Sequence, residues 1–445
     1  MRREQYLSWG RYPRAYPAAV YQLRWRDEPL PRPAPGMTML AYGYGRSYGD
    51  CCLNSGGVLL DTKRLERFIA FDPAAGILRC EAGVSLAQVL ELIVPRGFFL
   101  PVTPGTRWVS IGGAVANDVH GKNHHRAGSF GCHVRAFELV RSSGERLLCT
   151  PEQNAELFRA TIGGLGLTGL ITWVEFALRP IGTPWMVVES IRYGSLREFF
   201  ELTQESDADF EYTVAWVDVS AGGSQLGRGI FLRGNHAEPE QAPQHAPRPQ
   251  LRIPVPVSCP QWVLNRLSAR LFNALYWRRP LRRRMVQPYE AFFYPLDVLA
   301  EWYRLYGRRG FVQYQCVVPR QCAEEAIAEL LGRIRASGRT ATLGVLKVFG
   351  EQRSPGMLSF PRPGVTLAVD LAMEGDATLR LLEELDSCVS ACGGALYPAK
   401  DARMSPEMFQ RSFPHWREFA RFVDPQFCSD FWRRVTGSRG EPCAC

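Results

Sequence analysis

The stretch 103–134, TPGTRWVSIGGAVANDVHGKNHHRAGSFGCHV, constrains this chain more than any other. It sets Gly105, Gly112, Gly113, Gly121, Gly128 and Gly131 among four histidines, His120, His124, His125 and His133, with Asp118 as its one acid. Residues without a Cβ let main-chain N–H groups approach a bound group closely, and turns rich in them form concavities that hold phosphate oxygens. A loop-rich connector is the other common use of glycine. At this density the composition favours a backbone laid against a ligand.

Two further glycine turns flank it. MTMLAYGYGRSYGD, residues 37–50, reads as a short strand running into Gly43, Gly45 and Gly49, where a strand end can present backbone donors to a diphosphate. TIGGLGLTGLITWVEFALRP places Gly163, Gly164, Gly166 and Gly169 ahead of an apolar strand over 171–178. Two such turns, each delivering into a strand, point to a large nucleotide rather than one small anion.

The chain around these turns alternates element types. Residues 1–35, rich in proline and aromatics, read as an extended arm. Short β-rich runs are expected at 57–60, 68–71 and 77–81. A helix follows over 85–94, with Ser85 as N-cap and Leu86, Val89, Leu90 and Ile93 on one face. A strand over 136–141, a turn at 142–145 and a helix over 154–160 come next. Past Pro180, long alternating runs such as PWMVVESIRYGS and FEYTVAWVDV, with helices over 196–203 and 322–337, predict an antiparallel sheet carrying helices on one face. Residues 236–250 are polar, proline-rich and expected to be mobile. In the segment 261–285, Trp262, Leu264, Leu267, Leu271 and Leu275 recur at helical spacing ahead of Arg278, Arg279, Arg282, Arg283 and Arg284. Such a basic amphipathic segment suits an anionic membrane surface, and a core helix followed by a solvated basic turn is the alternative. Near the carboxyl end, Lys400 and Asp401 follow a strand, where rigid structure can hold a functional side chain.

At 445 residues the chain is long enough for two or three folding units. The 53 basic and 44 acidic residues leave a net charge of +9, which favours acidic partners and argues for no particular one. No nucleic-acid module stands out, so nucleic acid is not expected as a partner. The 13 cysteines lack paired C-x-x-C spacings, so reduced thiols and no metal site are expected. No run approaches ~20 apolar residues and no leader-like segment opens the chain, so a cytoplasmic protein is expected, in contact at most with the inner membrane's surface.

The pairing of GYGRSYGD with PGTRWVSIGGAVANDVHGKNHH resembles the FAD-binding half of the vanillyl-alcohol oxidase superfamily. HGKNHHRAGSFG, FFYPLDVLAEW, FVQYQCVVP, LKVFG and LYPAKDAR are similar, in the same order, to the decaprenylphosphoryl-β-D-ribose 2'-oxidase family of FAD-linked oxidoreductases. The resemblance implies an α+β fold: a two-subdomain PCMH-type FAD-binding domain built from 1–182 and 395–445, with a substrate domain over 183–394 that contains an antiparallel sheet and helices.

It also implies roles for individual residues. Tyr42, Gly43, Tyr44, Gly45, Arg46, Ser47, Tyr48, Gly49 and Asp50 would line FAD from the first turn. Gly105, Ser110, Ile111, Gly112, Gly113, Asn117, Asp118, His120 and Gly121 would do so from the second, with Ile171 and Tyr397 closing the site. Many superfamily members attach flavin to a histidine where this chain has Arg46, so FAD is expected to be non-covalent. Lys400, Gln315, Tyr48 and His120 would surround the reacting carbon, Lys400 either taking the hydroxyl proton or only positioning the hydroxyl. Lys122, Trp216, Tyr294, Leu296, Gln313, Lys347, Phe349 and Ala368 would meet the substrate. Ala368 stands where family members carry a cysteine that traps nitro-aromatic inhibitors, so activity without trapping is expected.

The implied reaction is oxidation of the 2'-hydroxyl of a polyprenyl-phosphoryl pentose to a ketone, the first half of an epimerisation in arabinan precursor synthesis for the cell envelope. A short-chain reductase would be the partner that completes it. An oxidase of a soluble sugar, alditol or lactone, or a non-catalytic flavin-binding scaffold, would use the same fold.

Overall fold

The computed structural model describes residues 6–245, 247, 250–260 and 262–437. Residues 1–5 of the expected arm, three positions of the proline-rich loop, Gln261 and the last eight residues lie outside the described residues. Three sheets organise the molecule.

In the three-stranded parallel sheet, Val58–Asp61 runs between Ala19–Gln22 and Met39–Tyr42. Its central strand is buried at every position, so it carries no polar alternation. The expected extended arm, 1–35, contributes its middle, Ala19–Gln22, as an edge strand of this sheet. The five-stranded antiparallel sheet orders Phe68–Asp72, Ile77–Glu81, Leu170–Ala177, Val134–Val140 and Arg146–Cys149. Against it packs the helix Leu86–Ile93, opened by the expected Ser85, whose side chain accepts from Gln88 N in a capping box. Leu86, Val89, Leu90 and Ile93 are buried against Leu78, Val174 and Phe176.

The eight-stranded sheet bears on function because its register sorts residues onto two faces. Its order is Arg284–Pro288, Trp185–Tyr193, Gly229–His236, Tyr212–Val217, Ala341–Phe349, Gly364–Ala372, Phe311–Val318 and Ala395–Leu396. Residues directly opposite on neighbouring strands share a face, and successive residues alternate. Trp216 pairs Val345, Val345 pairs Ala368, and Ala368 pairs Gln315, making one row across four strands. Lys347–Thr366 and Asp370–Gln313 fall on the same face. The other face carries Ala215, Leu346, Leu367 and Cys316 in the neighbouring row. It packs on the helices Leu196–Ser206, Ala323–Ser337 and Asp376–Ala391 through Phe199, Ile327, Leu330, Leu385 and Val389. The apolar face thus drives docking of three helices, and the polar face is left for chemistry.

The amphipathic segment forms the helix Arg266–Arg278, opened by Asn265. It is not a core helix: Leu267, Leu271 and Leu275 are 76%, 59% and 61% exposed, and Trp262 beside it is 76% exposed. Among the described residues, no helix is long and apolar enough to cross a membrane. The expectation of reduced thiols fails at one position. Ten described cysteines are free, but Cys428, fully buried ahead of the helix Asp430–Thr436, is disulfide-bonded.

Candidate active site

The first glycine turn is joined to the carboxyl-terminal turn by contacts that leave no room for a side chain. Tyr48 N donates to Ala399 O at 2.9 Å. A Cβ on Gly49 would lie 1.4 Å from Asp401 O, so only glycine permits this approach. Arg434 ties the same seam from a third element, pairing Asp50 and Asp401 at 2.8 Å each. Burial outweighs that arginine and raises the Asp50 carboxyl to about 6. Above the seam, Lys400 Nζ stands 3.6 Å from the centre of the Tyr48 ring.

The second glycine stretch reaches the same place. Ser110 caps the short helix Ile111–Ala116, accepting from Gly113 N at 3.2 Å, and it faces Gly43, where a Cβ would meet its Oγ at 2.5 Å. Asn117 closes the helix, and its carbonyl accepts from Tyr397 Oη at 2.9 Å, three residues before Lys400. The Gly112 turn and Lys400 therefore share one site. Tyr294 Oη meets Thr103 Oγ1 at 2.7 Å, while Asp297 accepts from Thr106 Oγ1 and Arg107 N at 2.7 and 3.0 Å. These bonds bracket Gly105, beside which a Cβ would meet nothing within 4 Å. Leu296, between the two anchors, is half-buried.

Of the four histidines, His120 alone joins the polar face of the large sheet. Gln315 Nε2 lies 3.0 Å from its Nε2, and Lys347 Nζ lies 3.0 Å from its Nδ1. A neutral imidazole has one N–H and one lone pair. With the Lys347 ammonium donating to Nδ1, Nε2 carries the proton and the Gln315 amide presents its oxygen, the choice of amide rotamer being set by the network. Thr366 Oγ1, 3.1 Å from Gln315, completes the chain. Burial first, and then the Lys347 charge, hold His120 well below the usual imidazole range. Phe349, 4.8 Å away, and Tyr397, 5.6 Å away, flank the ring. The other three histidines serve packing: His124 Nδ1 accepts from Gly350 N, and His125 and His133 bond the carbonyls of Phe210 and Ala127.

The chain has only four lysines, and Lys122, Lys347 and Lys400 belong to this site. Burial lowers Lys122 to about 8 and Lys347 to about 7, the charges of Lys122 and Lys400 adding to the effect on Lys347. Lys400 is likewise held below its ordinary range, chiefly by burial, and the carboxylate of Asp370 opposes that shift. Amines that lose their proton near neutrality can take up a proton or hold an anion as the reaction requires. Lys122 donates to Phe293 O at 3.0 Å, beside the aromatic cluster that contains Tyr294.

Some expected site residues are occupied elsewhere. Asp50 is taken by Arg434, and Asp118 accepts from Gly131 N at 2.8 Å and Ser359 Oγ at 2.6 Å. Ile171 lies in the core beside the helix of Gly112. Trp216, buried at the end of the Ala368 row, meets Tyr276 at 4.8 Å. Asp370 was not among the expected residues, yet it is 1% exposed and bonded to Gln313 on the site face. It stands two residues from Ala368, on the same face of the strand, but that face is known to be the site's only from the register opposite Gln313.

The donor set suits a dinucleotide. Gly45 is in the left-handed region at φ 62°, and among the described residues no group accepts from the N–H of Tyr44, Gly45, Arg46 or Ser47. Tyr44, Gly45 and Arg46 border a cavity of about 530 Å³ that also meets Arg11 and Arg252. Free main-chain donors beside three guanidinium groups fit a diphosphate. Arg46 itself stacks 4.0 Å over Trp9, and its Nε is buried without a partner.

Comparisons with known proteins agree with that chemistry. The FAD binding domain family matches residues 33–150, which hold both glycine turns. The decaprenylphosphoryl-β-D-ribose oxidase of Mycolicibacterium smegmatis is 38% identical over 415 residues, spanning 90% of this chain and 89% of that protein. An uncharacterized protein of Streptomyces coelicolor is 37% identical over 79% of this chain and all of its own length. A D-arabinono-1,4-lactone oxidase of Yarrowia lipolytica is 26% identical over 48% of this chain and 39% of its own.

Proposed function

This chain belongs to the decaprenylphosphoryl-β-D-ribose oxidase family of FAD-dependent oxidoreductases, and from that premise we propose that it oxidises the 2'-hydroxyl of a polyprenyl-phosphoryl pentose to the 2'-ketone. In this reading residues 1–182 and 395–445 form a two-part FAD-binding domain, and 183–394 form the substrate domain. Tyr44 to Ser47, with Arg46, would hold the diphosphate, and the absence of a histidine at Arg46 leaves FAD without its usual covalent anchor. Bound FAD supplies the hydride acceptor.

The residues of the chain do the rest. Lys400, neutral near physiological pH, takes the hydroxyl proton as the carbon loses hydride, while Tyr48 stacks beneath it and fixes its direction. His120, held in one tautomer by Lys347 and Gln315, donates from Nε2 to a sugar oxygen once substrate displaces the Gln315 contact. Lys347 and Lys122 place positive charge where the developing alkoxide and the lipid phosphate need it. Phe349, Tyr294 and Leu296 offer apolar walls, and Ala368 leaves the centre of the pocket without a thiol.

The lipid part of the reading rests on the surface. Eight arginines and no acid occur from Arg252 to Tyr289, and Leu267, Leu271 and Leu275 point to solvent. Phe272 stacks on Tyr276 at 5.8 Å, and Tyr276 meets Trp216 at 4.8 Å, giving an aromatic path from that surface to the site. Contact with an anionic leaflet would present a lipid-linked substrate along it, for a partner short-chain reductase to complete an epimerisation in envelope arabinan synthesis.

The single observation that carries the proposal is the amine of Lys400 over Tyr48, beside the Gln315–His120–Lys347 chain. The test is anaerobic bleaching of the bound flavin by free sugars and by lipid-phosphate pentoses. Bleaching by the lipid-phosphate pentose, lost in Lys400→Ala, is expected. Bleaching by free sugars or lactones alone would move the enzyme to soluble substrates, and bleaching undiminished by Lys400→Ala would remove the assigned base.

A further inference from the structure

We propose that Asp370 is a positioning residue for Lys400, its carboxylate facing the same site and stabilising the ammonium that Lys400 becomes on accepting the hydroxyl proton. The inference rests on the function proposed above and adds a residue to it.

The strand Gly364–Ala372 brings Asp370 to the site face two positions beyond Ala368, opposite Gln313. Gln313 donates to Oδ1, while Oδ2 is buried without a hydrogen-bond partner. A carboxylate sunk in a sheet with one oxygen bare is an expensive arrangement, and it persists where a nearby positive charge repays it. The charged and titratable groups facing Asp370 come from three elements. Tyr48 stands on the first glycine turn, Tyr306 on the turn Trp302–Tyr306, and Lys400 on the carboxyl-terminal turn. Lys400 is the one among them that becomes a cation. Around Lys400 stand Asp370, Cys51, Tyr48, Lys347 and His120, of which Asp370 is the acid.

The two are not in contact. Among the described residues no carboxylate comes within 4.0 Å of Lys400 Nζ, so Asp370 works through space and takes no proton itself. In the step, the hydroxyl O–H bond breaks, its proton forms a third N–H bond on the Lys400 amine, and the hydride leaves the same carbon for FAD. Burial pushes the Asp370 carboxyl up to about 7 and the Lys400 charge opposes that shift, so the carboxylate and the new ammonium stabilise each other. Removing Asp370 makes Lys400 a weaker base, by about one pH unit for an opposite charge just beyond contact.

The chain's four lysines make this measurable without substrate. Holoprotein carrying lysine labelled with ¹³C at Cε gives four resonances, and the Lys400 signal is identified by its loss in Lys400→Arg. In Asp370→Asn the Lys400 titration is expected to move down by about one pH unit, while Lys63, paired with Asp61 at 3.1 Å, stays in place. The acid limb of flavin bleaching should shift the same way, and Asp370→Glu should restore most of it. Should Asp370→Asn retain no flavin, Asp370→Ser is read by the same criterion. A Lys400 titration unmoved in a flavin-loaded charge-removing variant overturns the proposal. Because the titration needs no sugar, failure to find the substrate leaves this inference standing, and bleaching by Lys400→Ala would defeat the proposed function alone.

Discussion

Replacing Gly49 with alanine tests whether the site depends on the seam between two ends of the chain. The backbone at Gly49, φ −112°, accepts an L-residue, so the effect is steric. The added Cβ would stand 1.4 Å from Asp401 O, and real Cβ atoms stay beyond 3.0 Å, so the two turns must part by at least 1.6 Å. Both sides are backbone, and no side chain can swing away. The bond from Tyr48 N to Ala399 O, 2.9 Å long, is lost in the process. Overpacking and that bond together cost about 2–4 kcal/mol of stability. Lys400 is carried on the moving turn, and a displacement above 1 Å at a reacting group costs roughly 100-fold in rate. Anaerobic bleaching rate, flavin content and melting temperature measure the three consequences separately. Gly332→Ala, in the helix Ala323–Ser337 with open space around it, is the control and should stabilise by about 0.5–1 kcal/mol. A Gly49→Ala protein that melts with the parent and bleaches within about threefold of it would refute the reasoning.

Gly105→Ala should leave the fold unaltered, since its Cβ meets nothing within 4 Å, yet weaken flavin retention if that space receives the nucleotide; flavin content after dialysis decides. Ala368→Cys should gain a covalent adduct with a nitro-aromatic inhibitor in the presence of substrate, read by mass spectrometry, where the parent gains none. His124, pushed by burial to about 3, binds no proton in the folded state near pH 5 but binds one when unfolded, so stability rises with pH across the window from about 3 to 6.5. Against the parent, His124→Asn should remove about 1.4 kcal/mol per pH unit of that slope between pH 4 and 6, measured by denaturant titration. Leu367→Ala, on the helix-facing side of the large sheet, should cost about 2–5 kcal/mol with little change in the lysine resonances.

Local chemistry made much of this fold readable. Ser85 and Gln88 announce the helix they cap, and the alternating runs past Pro180 give strands that do pair antiparallel. The order of the eight strands was not readable, because pairing such as Trp216 with Val345 joins residues far apart and no local pattern encodes it. The same limit hid Asp370. Its neighbours in sequence are apolar, and only the register opposite Gln313 shows that it faces the site. The family resemblance placed Asp50 with the residues lining FAD. Arg434, far along the chain, takes Asp50, and sequence spacing cannot place a partner that distant.

The use of two kinds of cation has a consequence of its own. Of 53 basic residues only four are lysine, so nearly all positive charge on this molecule is guanidinium, fixed at any pH a cell reaches. Three of the four amines, Lys122, Lys347 and Lys400, are kept for the site, where charge can be switched on and off. Evolution could therefore vary the surface arginines to suit any acidic neighbour without disturbing proton transfer, whereas arginine in place of Lys347 or Lys400 would freeze a group whose usefulness lies in changing state.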